Sequence, residues 1–188
     1  MKMNQYVLCG IVSAVAGFST LANAQTAPTV PTGESTGEIQ VKATVLEGCA
    51  INATSNAGDA WGVLDFGQTS GLWNNPINAK VSNNQNGGDL AVTCSGGVES
   101  FTFSIDGGLN ASGTARQIAN SDASKTLPYN VYQDAAHSQE YGIGDPVTFA
   151  VSDGQSVDVP IFGVLEANTG TAATAGAYTD TLRATLEF

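Results

Sequence analysis

Basic residues are scarce. The 188-residue chain has six Lys and Arg against seventeen Asp and Glu, a formal net charge of −11. A surface this acidic repels a phosphate backbone, so nucleic acid is excluded as a partner. Anionic membrane surfaces are disfavoured for the same reason. Histidine occurs once, at His137, so a metal site or an acid–base pair lacks its usual partners. Charged residues of both signs make up only 12%, against about 25% in a typical globular chain. No apolar run reaches the length of a membrane-spanning helix. No stretch beyond residue 49 shows a convincing amphipathic helical period. Cysteine is limited to three positions.

What the chain does have is 42% apolar content, 22 glycines and many Asn, Ser and Thr. That mixture suits an all-β protein with many turns, and the length allows one domain with a real core. Residues 1–24 read as a secretory signal: Lys2, a mostly apolar stretch over 6–18, and Ala22-Asn23-Ala24 as an A-x-A cleavage site. Cys9 has no apolar region before it, which speaks against a lipid anchor. Cleavage would leave five basic and all seventeen acidic residues, a net charge of −12. It would also leave two cysteines, Cys49 and Cys94. An even count after a signal implies a disulfide in an oxidising compartment. A metal site is the weaker alternative for two cysteines beside a single histidine.

The most regular stretch is residues 37–47, GEIQVKATVLE. Ile39, Val41, Ala43 and Val45 alternate with Gln40, Lys42, Thr44 and Leu46. This is the period of a strand with one apolar face. Eleven residues span about 37 Å, long for a single strand. Before it, residues 25–36 hold Pro28, Pro31, Gly33 and several Thr, the composition of a flexible or extended tail. After it, Gly48 marks an expected hinge, and residues 48–188 form the expected body.

Strand and turn signals fill that body. Strands are expected at 50–53, 63–66, 90–94, 101–105, 129–133, 147–151 and 157–161, with an edge piece near 116–118. Residues 72–81 are ambiguous, and Pro160 suggests an edge or a bulge. The final strand covers 178–188, YTDTLRATLEF. Leu182, Ala184, Leu186 and Phe188 point one way along it. About seven strands favour a two-sheet sandwich. By alternation alone, residues 37–47 fit the first strand of a self-contained sandwich as well as a donated strand. The chain, however, reaches Phe188 without a turn into an edge partner. A sandwich short of its last strand leaves an apolar groove and unpaired backbone groups. A neighbour's strand fills both by β-augmentation, and head-to-tail donation builds a filament. Ile39, Val41, Ala43 and Val45 are then the donor side chains. Leu182, Ala184, Leu186 and Phe188 line the acceptor groove.

Several blocks carry a family resemblance: VKATVLEGC (41–49), LDFGQTSGLWNN (64–75), GGDLAVTC (87–94), FTFSIDGG (101–108), LPYNVYQDAAH (127–137), VPIFGVLEANTGT (159–171) and GAYTDTLRATLEF (176–188). In this order they resemble the spore coat protein U domain family, and within it the major rod pilins of archaic, Csu-type chaperone–usher pili. The resemblance implies an incomplete immunoglobulin-like β-sandwich completed by donor-strand exchange. It implies a Cys49–Cys94 disulfide and an N-terminal donor strand. It further implies identical subunits joined head to tail, a periplasmic chaperone, an outer-membrane usher and a tip adhesin. The product would be a cell-surface pilus for attachment and biofilm formation. The Pro- and Thr-rich tail is longer than the family pattern needs.

Other features carry less. Trp61 and Trp73 are better read as core or subunit contacts than as a sugar platform. His137 reads as a surface residue. Asp65, Asp106, Asp122, Asp134 and Asp145 fit turns better than the spaced carboxylate pair of a glycosidase. No catalytic set or cofactor is expected. The alternatives are a monomeric carbohydrate-binding sandwich and a spore-coat or matrix protein that forms no pili.

Overall fold

A computed structural model of the chain describes residue 33 and residues 36–52, 60–83, 87–152 and 154–188. The expected signal over 1–24 lies outside these residues, as does the 25–36 tail apart from Gly33 and Thr36. The chain divides into two units, Met1–Lys42 and Ala43–Phe188. The described residues of the first unit form no strand.

The second unit contains thirteen described strands. They are β1 Cys49–Ile51, β2 Gly62–Val63, β3 Ile77–Lys80, β4 Ser82–Asn83, β5 Ala91–Cys94, β6 Ser100–Ile105, β7 Arg116–Asn120, β8 Thr126–Tyr132, β9 Val147–Ala150, β10 Ser156–Asp158, β11 Phe162–Leu165, β12 Tyr178–Thr179 and β13 Ala184–Glu187. A five-stranded sheet has the order β12-β7-β8-β11-β3. Two three-stranded sheets have the orders β1-β5-β10 and β13-β6-β9, and β2 pairs with β4. Every strand ladder is antiparallel. No helix occurs among the described residues.

The core follows from alternation. Phe101, Phe103 and Ile105 on β6 are buried, as are Val92 and Cys94 on β5 and Tyr129 and Val131 on β8. Their polar neighbours face outward, which is the period-two rule of a sheet with one wet face. These residues form one cluster with Val159, Ile161 and Leu165, so the sheets share a single core. The fold is an all-β, immunoglobulin-like sandwich.

Of the strand expected at 63–66 only Val63 lies in a described strand, β2 Gly62–Val63, and the edge piece expected near 116–118 is β7, an inner strand between β12 and β8. Two further departures are corners. The strand expected at 157–161 is split: β10 pairs with β5, and β11 pairs with β3 and β8 in the other sheet. Val159 donates to the Leu90 carbonyl at 2.8 Å, and the Ile161 carbonyl accepts from Val81 at 2.8 Å. Pro160 sits between them, where its missing N–H costs no ladder bond. The strand expected at 178–188 is split likewise. β12 pairs with β7, whereas β13 pairs with β6 in a different sheet. Strands that switch sheets make corners of this kind.

Candidate functional site

β13 is the last strand of its sheet, and no described strand pairs with its outer edge. Leu182, Ala184 and Leu186 are half-buried and pack against the core, while Thr181, Arg183, Thr185 and Glu187 are exposed. Of the four residues expected to point one way, Leu182, Ala184 and Leu186 face the core, and Phe188 is 62% exposed. Backbone direction follows from one bond. Asp106 donates to the Arg183 carbonyl at 2.9 Å, so Arg183 faces β6. In an antiparallel ladder alternate residues face the same side. Thr185 and Glu187 then also face β6, and the backbone groups of Leu182, Ala184 and Leu186 face the open edge.

A second apolar segment borders the same core. Trp61, Leu64 and Phe66 are half-buried and packed on it, yet residues 64–66 join no ladder. The Trp61 ring lies 6.5 Å from the ring of Phe103, which pairs in register with Leu186. Phe66 meets Tyr129 edge-on at 6.0 Å. Leu64 and Phe66 sit against Gly163, where a Cβ would come within 2.6 Å of Leu64 Cδ2.

The expected donor residues are fully available. Ile39 is 89% exposed, Val41 90% and Val45 85%. Ala43 is exposed too, and residues 36–48 enter no strand. The body begins with a pin. Gly48 donates to Ser95 Oγ at 2.9 Å, and Ser95 donates back to the Gly48 carbonyl at 2.8 Å. Cys49 and Cys94 lie opposite each other on β1 and β5 and are joined by a disulfide, with Cα atoms 4.0 Å apart. Gly48 is tied on both its N–H and its carbonyl, which puts any pivot on its N-terminal side.

Sequence reasoning missed a polar network that holds the start of β13. Asp106 Oδ1 accepts from Arg183 N at 2.8 Å and from Gly108 N at 2.9 Å. Asp180 accepts from the Tyr129 hydroxyl at 2.8 Å and from the Asn110 backbone N–H at 3.1 Å. Arg116 is 2% exposed. It donates to the carbonyls of Asp106 (2.9 Å), Tyr141 (2.7 Å) and Ile105 (3.0 Å). Burial lowers the Arg116 pKa, and the nearby Tyr129, Glu140, Asp106 and Asp180 oppose that shift. Burial, then the bond to and charge of Asp180, raises the Tyr129 phenol far above its ordinary value. The bonds that tie Asp180 and Arg183 into this network join residues 51 to 77 apart and leave no local signal.

The remaining residues take structural roles. Trp73 is buried, and its indole N–H donates to the Glu166 carbonyl at 2.8 Å. His137 lies against Tyr132, ring centroids 5.2 Å apart. Asp65, Asp122 and Asp134 each accept a backbone N–H two to five residues ahead. Hydrogen bonding by Ser124, its side chain first and then its backbone, holds the Asp122 carboxyl below the ordinary range, and the backbone N–H of Ser138 leads in doing the same for Asp134.

An antiparallel sandwich whose strand β13 has no outer partner among the described residues defines the class: immunoglobulin-like β-domains. The Spore Coat Protein U domain profile matches residues 35–185. The chain belongs to the spore coat protein U domain family. Among solved structures it is similar to the CsuC–CsuE chaperone–tip adhesion subunit pre-assembly complex from archaic chaperone–usher Csu pili of Acinetobacter baumannii. That likeness has 18% identity and a TM-score of 0.46, covering 77% of this chain and 41% of the other. A chaperone–tip adhesin complex of CFA/I fimbriae is similar at 13% identity and a TM-score of 0.38, covering 60% of this chain and 35% of the other. The chain thus spans less than half the length of either. No curated protein matches the chain at a significant level.

Proposed function

We propose that the chain is a structural pilus subunit that polymerises by donor-strand exchange. One observation carries this reading: β13 leaves its outer edge unpaired among the described residues, while Ile39, Val41 and Val45 stand exposed outside every ladder. Both halves of a strand pair are present, and neither is used. Burying Ile39, Val41 and Val45 in a neighbour is worth roughly 5–8 kcal/mol before the costs of association. Backbone pairing adds to this, and slow unfolding would keep the donor locked.

Membership of the spore coat protein U domain family supports the further steps. A periplasmic chaperone holds the open edge until an outer-membrane usher passes the subunit on. There, residues 37–47 of the next copy replace the chaperone's strand. The product is a cell-surface rod, tipped by an adhesin, that serves attachment and biofilm formation. The alternative of a sugar-binding sandwich gains no support from Trp73, whose ring and N–H are both used inside the body.

Deleting residues 25–47 and co-expressing the remainder with a cognate chaperone tests the reading. The expected result is a stable binary complex that assembles no further until a peptide of residues 37–47 is added. A well-folded monomer that needs no chaperone would overturn it.

A further inference from the structure

The root of the proposed donor segment and the edge it would fill lie at the same end of one body. β5 passes into β6 through residues 95–99, a turn closed by a bond from the Val98 N–H to the Ser95 carbonyl at 3.3 Å. Gly48 is tied to Ser95 on one side of this turn. On the other side, Glu187 of β13 pairs with Thr102, near the start of β6. A flexible tether would present the segment to its own edge at an effective concentration of about millimolar. Neighbours at micromolar concentration would then lose the competition by roughly a thousandfold. We infer that the junction at residues 43–48 is a guard against self-pairing. It carries the segment off the end of its own body, so that only a second copy can use it. The inference rests on the strand-donation reading above and adds what suppresses the competing intramolecular reaction.

The direction of exit is fixed first. Gly48 is bonded to Ser95 through both its N–H and its carbonyl. It therefore continues the line of β1 one residue beyond the Cys49–Cys94 pair. Glu47 follows against the turn itself, where a Cβ on Gly97 would come within 3.0 Å of Glu47 Oε1. The chain thus leaves along the axis of β1, past the 95–99 turn and away from the sheets. Lying along β13, or along the open side of β1, would require an immediate reversal.

The segment lacks the residues for that reversal. Tight two-residue turns need positive φ, which Gly, Asn and Asp supply. Residues 38–47 contain none of the three, and no Pro. Val45 and Val41 are β-branched and disfavoured where φ is positive. Gly48 has the conformational freedom, but Ser95 holds both its polar groups, and it does not take the left-handed conformation. A wider reversal would consume Ala43 to Leu46 and remove two of the four apolar side chains from pairing. Val45 at 85% and Leu46 at 79% exposure fit a segment that finds no surface on its own body.

Inserting a flexible Gly/Ser linker of about eight residues between Glu47 and Gly48 tests the guard. Gly48, Cys49 and Ser95 keep their bonds, so the body folds as before. The native and linker chains are each co-expressed with a cognate chaperone and offered a labelled peptide of residues 37–47 at micromolar concentration. The native chain should be recovered with the chaperone and take up the peptide. The linker chain should appear as a chaperone-free monomer, with peptide uptake lower by about a hundredfold or more. Adding Val41→Asp/Val45→Asp to the linker chain should restore chaperone binding and peptide uptake, because its own segment no longer fills the edge. Equal uptake by the native and linker chains would overturn the guard. So would a native chain that is already closed on itself and refuses the peptide while the chain lacking residues 25–47 accepts it. Refusal by that shortened chain as well would instead sink strand donation itself.

Discussion

Residues 39–45 and 182–188 have the same apolar alternation and opposite fates. In the first, Ile39, Val41 and Val45 are 85–90% exposed and join no ladder. In the second, Leu182, Ala184 and Leu186 rest on the core, and β13 pairs with β6 along one side. Both sequences specify a strand with one apolar face. Only one has a sheet to lie on. Alternation determines which face is buried once a partner exists, and it does not specify where the partner comes from.

The sharpest way to break the comparison is to place a charge in each segment. Val41→Asp/Val45→Asp should abolish assembly while shifting monomer unfolding by no more than about 0.5 kcal/mol, as expected for exposed sites. Leu186→Asp should abolish assembly and also cost about 2–4 kcal/mol, because it loads a carboxylate onto the core. Fibre yield and urea unfolding, measured side by side, separate the two. Normal fibres from the first variant would remove the distinction.

Removing the cross-link comes next. Cys49→Ser/Cys94→Ser opens a loop with a sequence separation of 45. The chain-entropy relation gives a loss of about 4 kcal/mol, readable as a lower urea midpoint. A midpoint that stays put would show that β1 is held by its other bonds, such as those of Gly48 and Asn52.

The smallest effect concerns what anchors β13. Tyr129→Phe deletes the hydrogen bond to Asp180 and should cost about 1 kcal/mol at neutral pH. Its pH dependence has a definite sign. The folded phenol is held above the ordinary value near 10, so folding favours its neutral form. That contribution is complete below pH 10 and is lost as pH rises past it, when the unfolded tyrosine ionises first. Urea titrations at pH 7 and above pH 10 should show a shallower alkaline loss in the variant. Buried Tyr141, whose phenol is also raised by burial, retains its own share.

The legible parts of this fold were local. Leu90, Val92 and Cys94, and Phe101, Phe103 and Ile105, announced inward rows that the core confirms. The even cysteine count after an expected signal pointed to the Cys49–Cys94 bond. The corners were not legible. Pro160 marked an interruption, but its being a crossing between sheets depends on Leu90 and Val81, far away in sequence. The break at Asp180 depends on Tyr129 and Asn110. Arg116 looked like an edge residue in a polar loop. Its burial follows from carbonyls that only the folded chain brings together.

The pin at Gly48 has a mechanical meaning in a fibre of donated strands. Tension along such a fibre would leave each donor segment through Glu47 and enter the body at Gly48. Three-residue β1 alone would unzip one bond at a time. The covalent bridge at its first residue passes the load straight to the middle strand of the β1-β5-β10 sheet. The middle strand is paired on both sides, so two ladders share the force, and β1 cannot peel from its first residue.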